Sequence, residues 1–118
     1  MQLHTTDFCS IELYEKYVIV TVNEGVNLTL DKASVIRKKL QSYYKNQQFL
    51  LISNRKNNHE VSGEIYKRGQ LANMKALAIV SKKKTERDKA IIEQKLFDKS
   101  FAFFENLEEA KSWAESYF

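Results

Sequence analysis

The stretch MKALAIV, from Met74 to Val80, constrains the fold more than any other part of the sequence. It is a short apolar run that stops at Ser81 and is followed at once by three lysines. A run of this length and composition is typical of a strand that is buried on both faces of a sheet. We therefore expect residues 74–80 to form a central strand.

The composition favours one domain and excludes several classes of protein. The 118 residues, of which 43% are hydrophobic, can bury one ordinary core but not two. The net charge of +4 is weaker than the basic bias of a dedicated nucleic-acid-binding domain. No window approaches the roughly 20 apolar residues of a membrane span, and the N-terminus lacks a signal peptide. We expect a soluble, cytoplasmic protein with a single domain over residues 1–118.

Residues that usually hold metals, cofactors or disulfides are scarce. Cys9 is the single cysteine, which excludes a disulfide within the chain, and His4 and His59 are not spaced as metal ligands with it. The sequence has three glycines and no glycine-rich phosphate loop. We predict neither a metal nor a cofactor.

Hydrophobic patterns in the first half predict strands alternating with helices. Residues 8–14 and 17–22 read as an antiparallel hairpin, and residues 49–52 as a second interior strand. Thr29 has the position of an N-cap for a helix that begins at Leu30. A short helix should follow from Ser62 or Gly63 to about Leu71, in which Gly69 would allow a close approach to a neighbour.

In the second half, Thr85 and Asp88 have the spacing of a capping box for a third helix. The apolar residues of that helix do not share one stripe, because Ile92 and Leu96 lie on one face and Ala90 and Phe97 on another. Ala90 and Phe97 are therefore a candidate partner surface, with a homodimer as one possibility. Residues 101–104 should form the last strand, followed by a helix capped at Asn106.

This element order predicts an α/β fold with a mostly parallel, five-stranded sheet and an antiparallel strand at the N-terminal edge. The segments EGVNLTLDKA, KALAIV and FAFFENLEEAKSW resemble the SpoIIAA-like bacterial proteins of the STAS (sulphate transporter and anti-sigma factor antagonist) and SEC14-like group. The resemblance implies a right-handed βα superhelix and a regulatory domain that docks on a protein partner.

The same resemblance implies a phosphorylation site. In anti-sigma factor antagonists a partner kinase phosphorylates a serine of an Asp-Ser-Ser-Gly motif at the start of the helix after the third strand. The matching segment here reads Glu60, Val61, Ser62, Gly63, so Ser62 is the candidate serine, although Val61 and Glu60 depart from the motif. The alternative is that Ser62 only caps the following helix.

A second candidate site comes from the edge of the predicted sheet. The carboxyl ends of parallel strands form the usual ligand edge of an α/β sheet. Basic residues leave two of those strands there, and they could bind an anion or an acidic partner, or could simply keep the loops soluble. They are Arg55, Lys56, Lys82, Lys83 and Lys84.

Three functions follow as hypotheses. The first is a non-catalytic cytosolic regulatory or binding module of STAS type that docks on a protein and is open to phosphorylation. The second is a carrier or sensor of an anionic small molecule or lipid headgroup. The third is a small hydrolase built on Ser62 and His59, which the absence of a GxSxG elbow disfavours. An apolar pocket below the lysines would favour the second hypothesis, and a flat exposed patch the first.

Overall fold

A six-stranded sheet with helices on both faces forms the body of the protein in the computed structural model, which describes residues 1–68 and 71–118. In chain order the elements are β1 (Gln2–Thr5), β2 (Cys9–Leu13), β3 (Tyr17–Val22), β4 (Asn27–Leu28), α1 (Leu30–Tyr44), β5 (Phe49–Asn54), β6 (Glu60–Val61), α2 (Glu64–Lys67), β7 (Met74–Val80), α3 (Lys84–Leu96), β8 (Ser100–Phe104) and α4 (Leu107–Tyr117).

The sheet has the strand order β1-β2-β3-β5-β7-β8. Strand β1 pairs antiparallel with β2, and β2 pairs antiparallel with β3, whereas β3, β5, β7 and β8 run parallel to one another. The predicted fold class is therefore confirmed, with β7 in the interior between β5 and β8. The sheet has six strands rather than five because Gln2–Thr5 pairs with β2. Strands β4 and β6 form a separate parallel pair.

Apolar side chains cover both faces of the sheet, as the alternation of strand side chains requires. On the front face, Val20 and Leu51 pack with α1, and Leu77 packs with Ala90 of α3. On the back face, the cluster includes Ala110 of α4. Strand β3 is buried along its whole length, so both of its faces are core.

Two local features fix the position of α1. The Thr29 hydroxyl accepts a hydrogen bond from the backbone N–H of Lys32 at 3.3 Å, which confirms the predicted N-cap. At the other end, the hydroxyl of Tyr44 donates to the carbonyl oxygens of Tyr14 at 2.7 Å and Tyr17 at 2.8 Å. The last turn of α1 is thereby tied to the connection between β2 and β3.

The capping box predicted at Thr85 and Asp88 is wrong. Helix α3 begins at Lys84, two residues before the start at Glu86 that a cap at Thr85 implies, and its N-cap Lys83 makes no side-chain cap bond. Because Thr85 already lies in the first turn, its side chain is not at the capping position. The Ser81 hydroxyl instead accepts a hydrogen bond from the Lys83 backbone N–H at 3.1 Å. At the start of α4, the predicted cap is confirmed: the Asn106 side-chain oxygen accepts from the Glu109 N–H at 2.9 Å.

Helix α2 is shorter than the sequence pattern predicted. It ends at Lys67, and the backbone of Arg68 already has an extended conformation. Ile65 and Leu71 pack against the front-face core. The close approach predicted for Gly69 lies outside the described residues.

Candidate functional site

A pocket opens on the front face of the sheet, beneath α1 and α2. Its cavity volume is about 130 Å³. Apolar side chains from five strands, from α1 and α2 and from the end of α3 form most of its wall, and the following are representative: Val20, Ala33, Leu40, Leu51, Met74 and Leu77. Such a concave apolar surface with a few polar side chains is the usual form of a small-molecule site.

One polar cluster in the wall is a buried ion pair. Arg55 is 4% exposed and forms a two-pronged salt bridge with Glu93 of α3. The hydroxyl of Tyr66 also donates to Glu93, and the Arg55 Nε donates to the Ser53 hydroxyl at 3.1 Å. These side chains satisfy one another, as buried charged groups must. The cluster joins the end of β5 to α2 and α3.

The protonation states of this cluster follow from its burial. Burial opposes the charge of Arg55, but the hydrogen bonds and the negative charge of Glu93 outweigh it and raise the pKa of the guanidinium. Burial first, and then the Glu93 carboxylate, raise the pKa of Tyr66. Tyr66 therefore remains a neutral hydrogen-bond donor at physiological pH, and Arg55 remains charged.

A further polar residue in the pocket wall is His59, from the loop after β5. It is 5% exposed, and its Nδ1 has no hydrogen-bond partner among the described residues. Burial, and then the positive charge of Arg55, lower the pKa of His59, while the Asn57 carbonyl and two carboxylates act in the opposite direction. The imidazole is therefore neutral near pH 7.

The predicted basic edge forms only in part. Lys56, Lys82 and Lys83 are exposed and surround a shallow depression at the carboxyl ends of β5 and β7. Arg55 also reaches this depression, but its charge is already paired with Glu93, so the expected free cation is absent at that position. Lys84 lines a different groove, beside α3 and β8.

Ser62 lies between β6 and α2 and is half-buried. Its backbone N–H donates to the Leu28 carbonyl at 3.0 Å, which holds this segment beside β4. The N-cap position of α2 belongs to Gly63 and has no side-chain cap bond, so the alternative role of Ser62 as a helix cap is wrong. Phosphorylation of Ser62 stays a prediction.

The partner surface predicted at Ala90 and Phe97 is not exposed. Ala90 is fully buried, and Phe97 is 7% exposed, with its ring packed edge-on against Tyr66 and Phe101. These residues point inward because α2 and β8 flank the end of α3. The exposed apolar residues of this helix are Ile91, Ile92 and Leu96.

The pocket and His59 are the features that sequence reasoning missed. His59 was considered only as a partner of Ser62 or of a metal. The pocket depends on how α1 and α2 are placed over the sheet, which no local pattern reports. Within residues 1–68 and 71–118, no cluster of three His, Cys, Asp or Glu side chains could hold a metal ion. None of the described helices is long and apolar enough to cross a membrane.

Similarity to known proteins supports the fold. No family model matches this chain, and no curated protein matches it. A solved structure that resembles it is an uncharacterised protein of the DUF3478 family with a SpoIIAA-like fold, from Shewanella loihica PV-4. The two share 17% identity over 90% of this chain and 91% of that chain, with a TM-score of 0.62. At this identity the likeness shows the fold alone, and the chain has the SpoIIAA-like fold that the sequence resemblance predicted.

Proposed function

We propose that this protein is a non-catalytic binding module that holds an anionic amphipathic molecule in the front-face pocket, as a carrier or a sensor. The observation that carries the proposal is the pocket itself, in which apolar walls surround a small number of buried polar side chains. An apolar ligand body there would remove its own surface and that of the wall from water. The SEC14-like side of the sequence resemblance supports the same function.

The expected acidic group of the ligand has a partner in the pocket wall. Arg37 of α1 lines the pocket, is half-buried, and donates to the Ser34 hydroxyl at 3.1 Å. Among the described residues it pairs with no carboxylate. A guanidinium can bind a carboxylate or phosphate with two parallel hydrogen bonds. We place the acidic end of the ligand at Arg37 and the apolar body inside.

Filling the pocket tests this proposal. Ala33 is half-buried in the pocket wall, whereas Val35 on the same helix is 45% exposed and is not part of that wall. In isothermal titration calorimetry with decanoate below its micelle concentration, Ala33→Trp should bind at least about tenfold more weakly than wild type, since it occupies the apolar space. The matched control Val35→Trp should bind as wild type does.

The contribution of Arg37 is tested separately with Arg37→Gln, which should weaken the binding of decanoate and leave the binding of decanol unchanged. No decanoate binding by wild type, or equal binding by Ala33→Trp and wild type, would remove the pocket as the functional site. Equal losses for decanoate and decanol with Arg37→Gln would mean that this residue acts through packing rather than charge.

The second candidate function is docking on an acidic protein, with the regulatory role that the STAS resemblance implies. Its support is the exposed basic group Lys56, Lys82 and Lys83. Exposed charges are screened over a Debye length of roughly 8 Å at physiological ionic strength, so such docking should weaken as salt is added. Replacing these three lysines by Gln should reduce partner recovery in a pull-down and leave thermal stability nearly unchanged. Unchanged recovery would reduce them to solubilising residues.

Phosphorylation and self-association belong to the same candidate function. A phosphate on Ser62 would add about −1.5 to −2 charges, which would repel an acidic partner that docks close to it. Intact-mass analysis of protein from its own host should find the phosphorylated protein, and Ser62→Asp should reduce partner recovery relative to Ser62→Ala.

For a homodimer, the exposed residues Ile91 and Ile92 replace the buried Phe97 as the surface to test. Ile92→Asp should then abolish a dimer seen by sedimentation.

A further inference from the structure

We infer that the front-face pocket recognises an uncharged hydrogen-bonding group of the ligand, a hydroxyl or a ketone carbonyl, through the imidazole of His59. The ligand class is therefore an oxygenated amphipathic acid rather than a simple fatty acid. This inference rests on the proposed function, because it assigns the chemistry of a ligand held in the same pocket.

His59 has hydrogen-bonding capacity that the protein does not use. Its Nδ1 is buried and has no partner among the described residues, although buried polar atoms are nearly always paired. Of the polar groups nearby, Ser53 and Glu93 bind Arg55, and Tyr66 binds Glu93. The Asn57 carbonyl also acts on the imidazole, and Glu86 Oε2 is a second buried atom without a partner among the described residues. A ligand atom that reaches the imidazole would supply the missing partner.

The charges around His59 decide which kind of group it can accept. Arg55 is neutralised by Glu93, and the buried carboxylate of Glu86 has Lys89 at 3.6 Å. A ligand carboxylate here would find no unpaired cation among these residues and would lie near two carboxylates. A ligand cation would face the guanidinium. Because an uncompensated charge is expensive in a buried site, an uncharged group is favoured.

The imidazole itself suits such a group. Burial and the charge of Arg55 keep it neutral near pH 7, so that one ring nitrogen donates and the other accepts. It could accept a hydrogen bond from a ligand hydroxyl or donate one to a ligand carbonyl. An ordered water could also satisfy the free nitrogen, and the test must distinguish the two.

The experiment compares decanoate with the positional isomers of hydroxydecanoate and of oxodecanoate by calorimetry. At least one isomer should bind wild type about tenfold more tightly than decanoate, which is the gain expected from one added buried hydrogen bond. That advantage should vanish in His59→Leu, which keeps the apolar volume but not the polar atoms. It should return in part in His59→Asn, whose amide lies close to the position of Nδ1.

The outcomes separate this inference from the proposed function. If decanoate binds, is blocked by Ala33→Trp, and no isomer exceeds it, the pocket function stands and the role of His59 is refuted, with a water as the partner. An advantage that persists in His59→Leu refutes that role as well. If decanoate and every isomer fail to bind wild type, the proposed function itself has failed.

A measurement on the wild type covers the case in which the His59 variants do not fold. The chain has two histidines, so the side-chain ¹⁵N resonances of His59 can be assigned with the variant His4→Ala. The tightest isomer should shift the ring nitrogens of His59, and decanoate should leave them nearly in place. If no isomer shifts the ring-nitrogen resonances of His59, the role inferred for this residue is refuted.

Discussion

Removing the carboxylate of Glu93 should be among the most damaging single changes in this protein. In Glu93→Ala the guanidinium of Arg55, 4% exposed, would remain buried without its counter-ion, and the hydroxyl of Tyr66 would lose its acceptor. Breaking a buried ion pair in this way costs about 3 to 5 kcal/mol. That is a large part of the roughly 5 to 15 kcal/mol by which a protein of this size is stable.

The assay is urea unfolding followed by the fluorescence of Trp113, the single tryptophan. The control is Glu105→Ala, because Glu105 is 68% exposed and only 3.4 Å from Arg87 in a surface pair. Exposed pairs contribute about 0.2 to 1 kcal/mol, so the control should be nearly neutral.

A double variant adds a second control. Replacing Arg55 by Met together with Glu93 by Leu removes both charges and should recover most of the lost stability. If Glu93→Ala costs no more than Glu105→Ala, the ion pair is not buried, and the reasoning about charge balance around His59 is refuted with it.

Two further changes follow from buried polar groups. Tyr44→Phe removes the hydroxyl that serves two carbonyl oxygens, and should lower the free energy of unfolding by about 1 to 3 kcal/mol in the same urea assay; a loss near zero would contradict the anchoring role of that hydroxyl. The imidazole of His59 faces Arg55, Glu86 and Glu93, and its pKa is below the ordinary 6.5. The unfolded chain therefore binds this proton more readily, so stability should fall as the pH drops below about 6.5, and His59→Asn should reduce that dependence. If wild type and His59→Asn have the same dependence of stability on pH, His59 is not its source.

The sequence predicted best what local chemistry controls. The bounds of β7 were expected from the apolar run Met74–Val80, because a strand buried on both faces needs no polar alternation. The caps at Thr29 and Asn106 involve residues three positions apart and are equally local. Strand β1 was missed because its sequence, QLHT, carries no apolar alternation and depends on pairing with β2.

The site depends on contacts between residues far apart in the chain. The alternation that puts Leu51 on the front face also puts Ser53 and Arg55 there, so the inward direction of Arg55 could have been read from the strand. The pairing with Glu93 could not have been read from the sequence, because it requires α3 to lie over the end of β5. For the same reason, the burial of Phe97 was not visible from the pattern of α3 alone.

Methyl NMR during a decanoate titration is the direct test of whether the front-face pocket holds an amphipathic ligand. The methyl resonances of Leu40, Met74 and Leu77 should shift in a saturable manner, while those of the exposed Ile91 and Ile92 should stay in place. Shifts confined to Ile91 and Ile92, or no saturable shift in the pocket, would contradict ligand binding there.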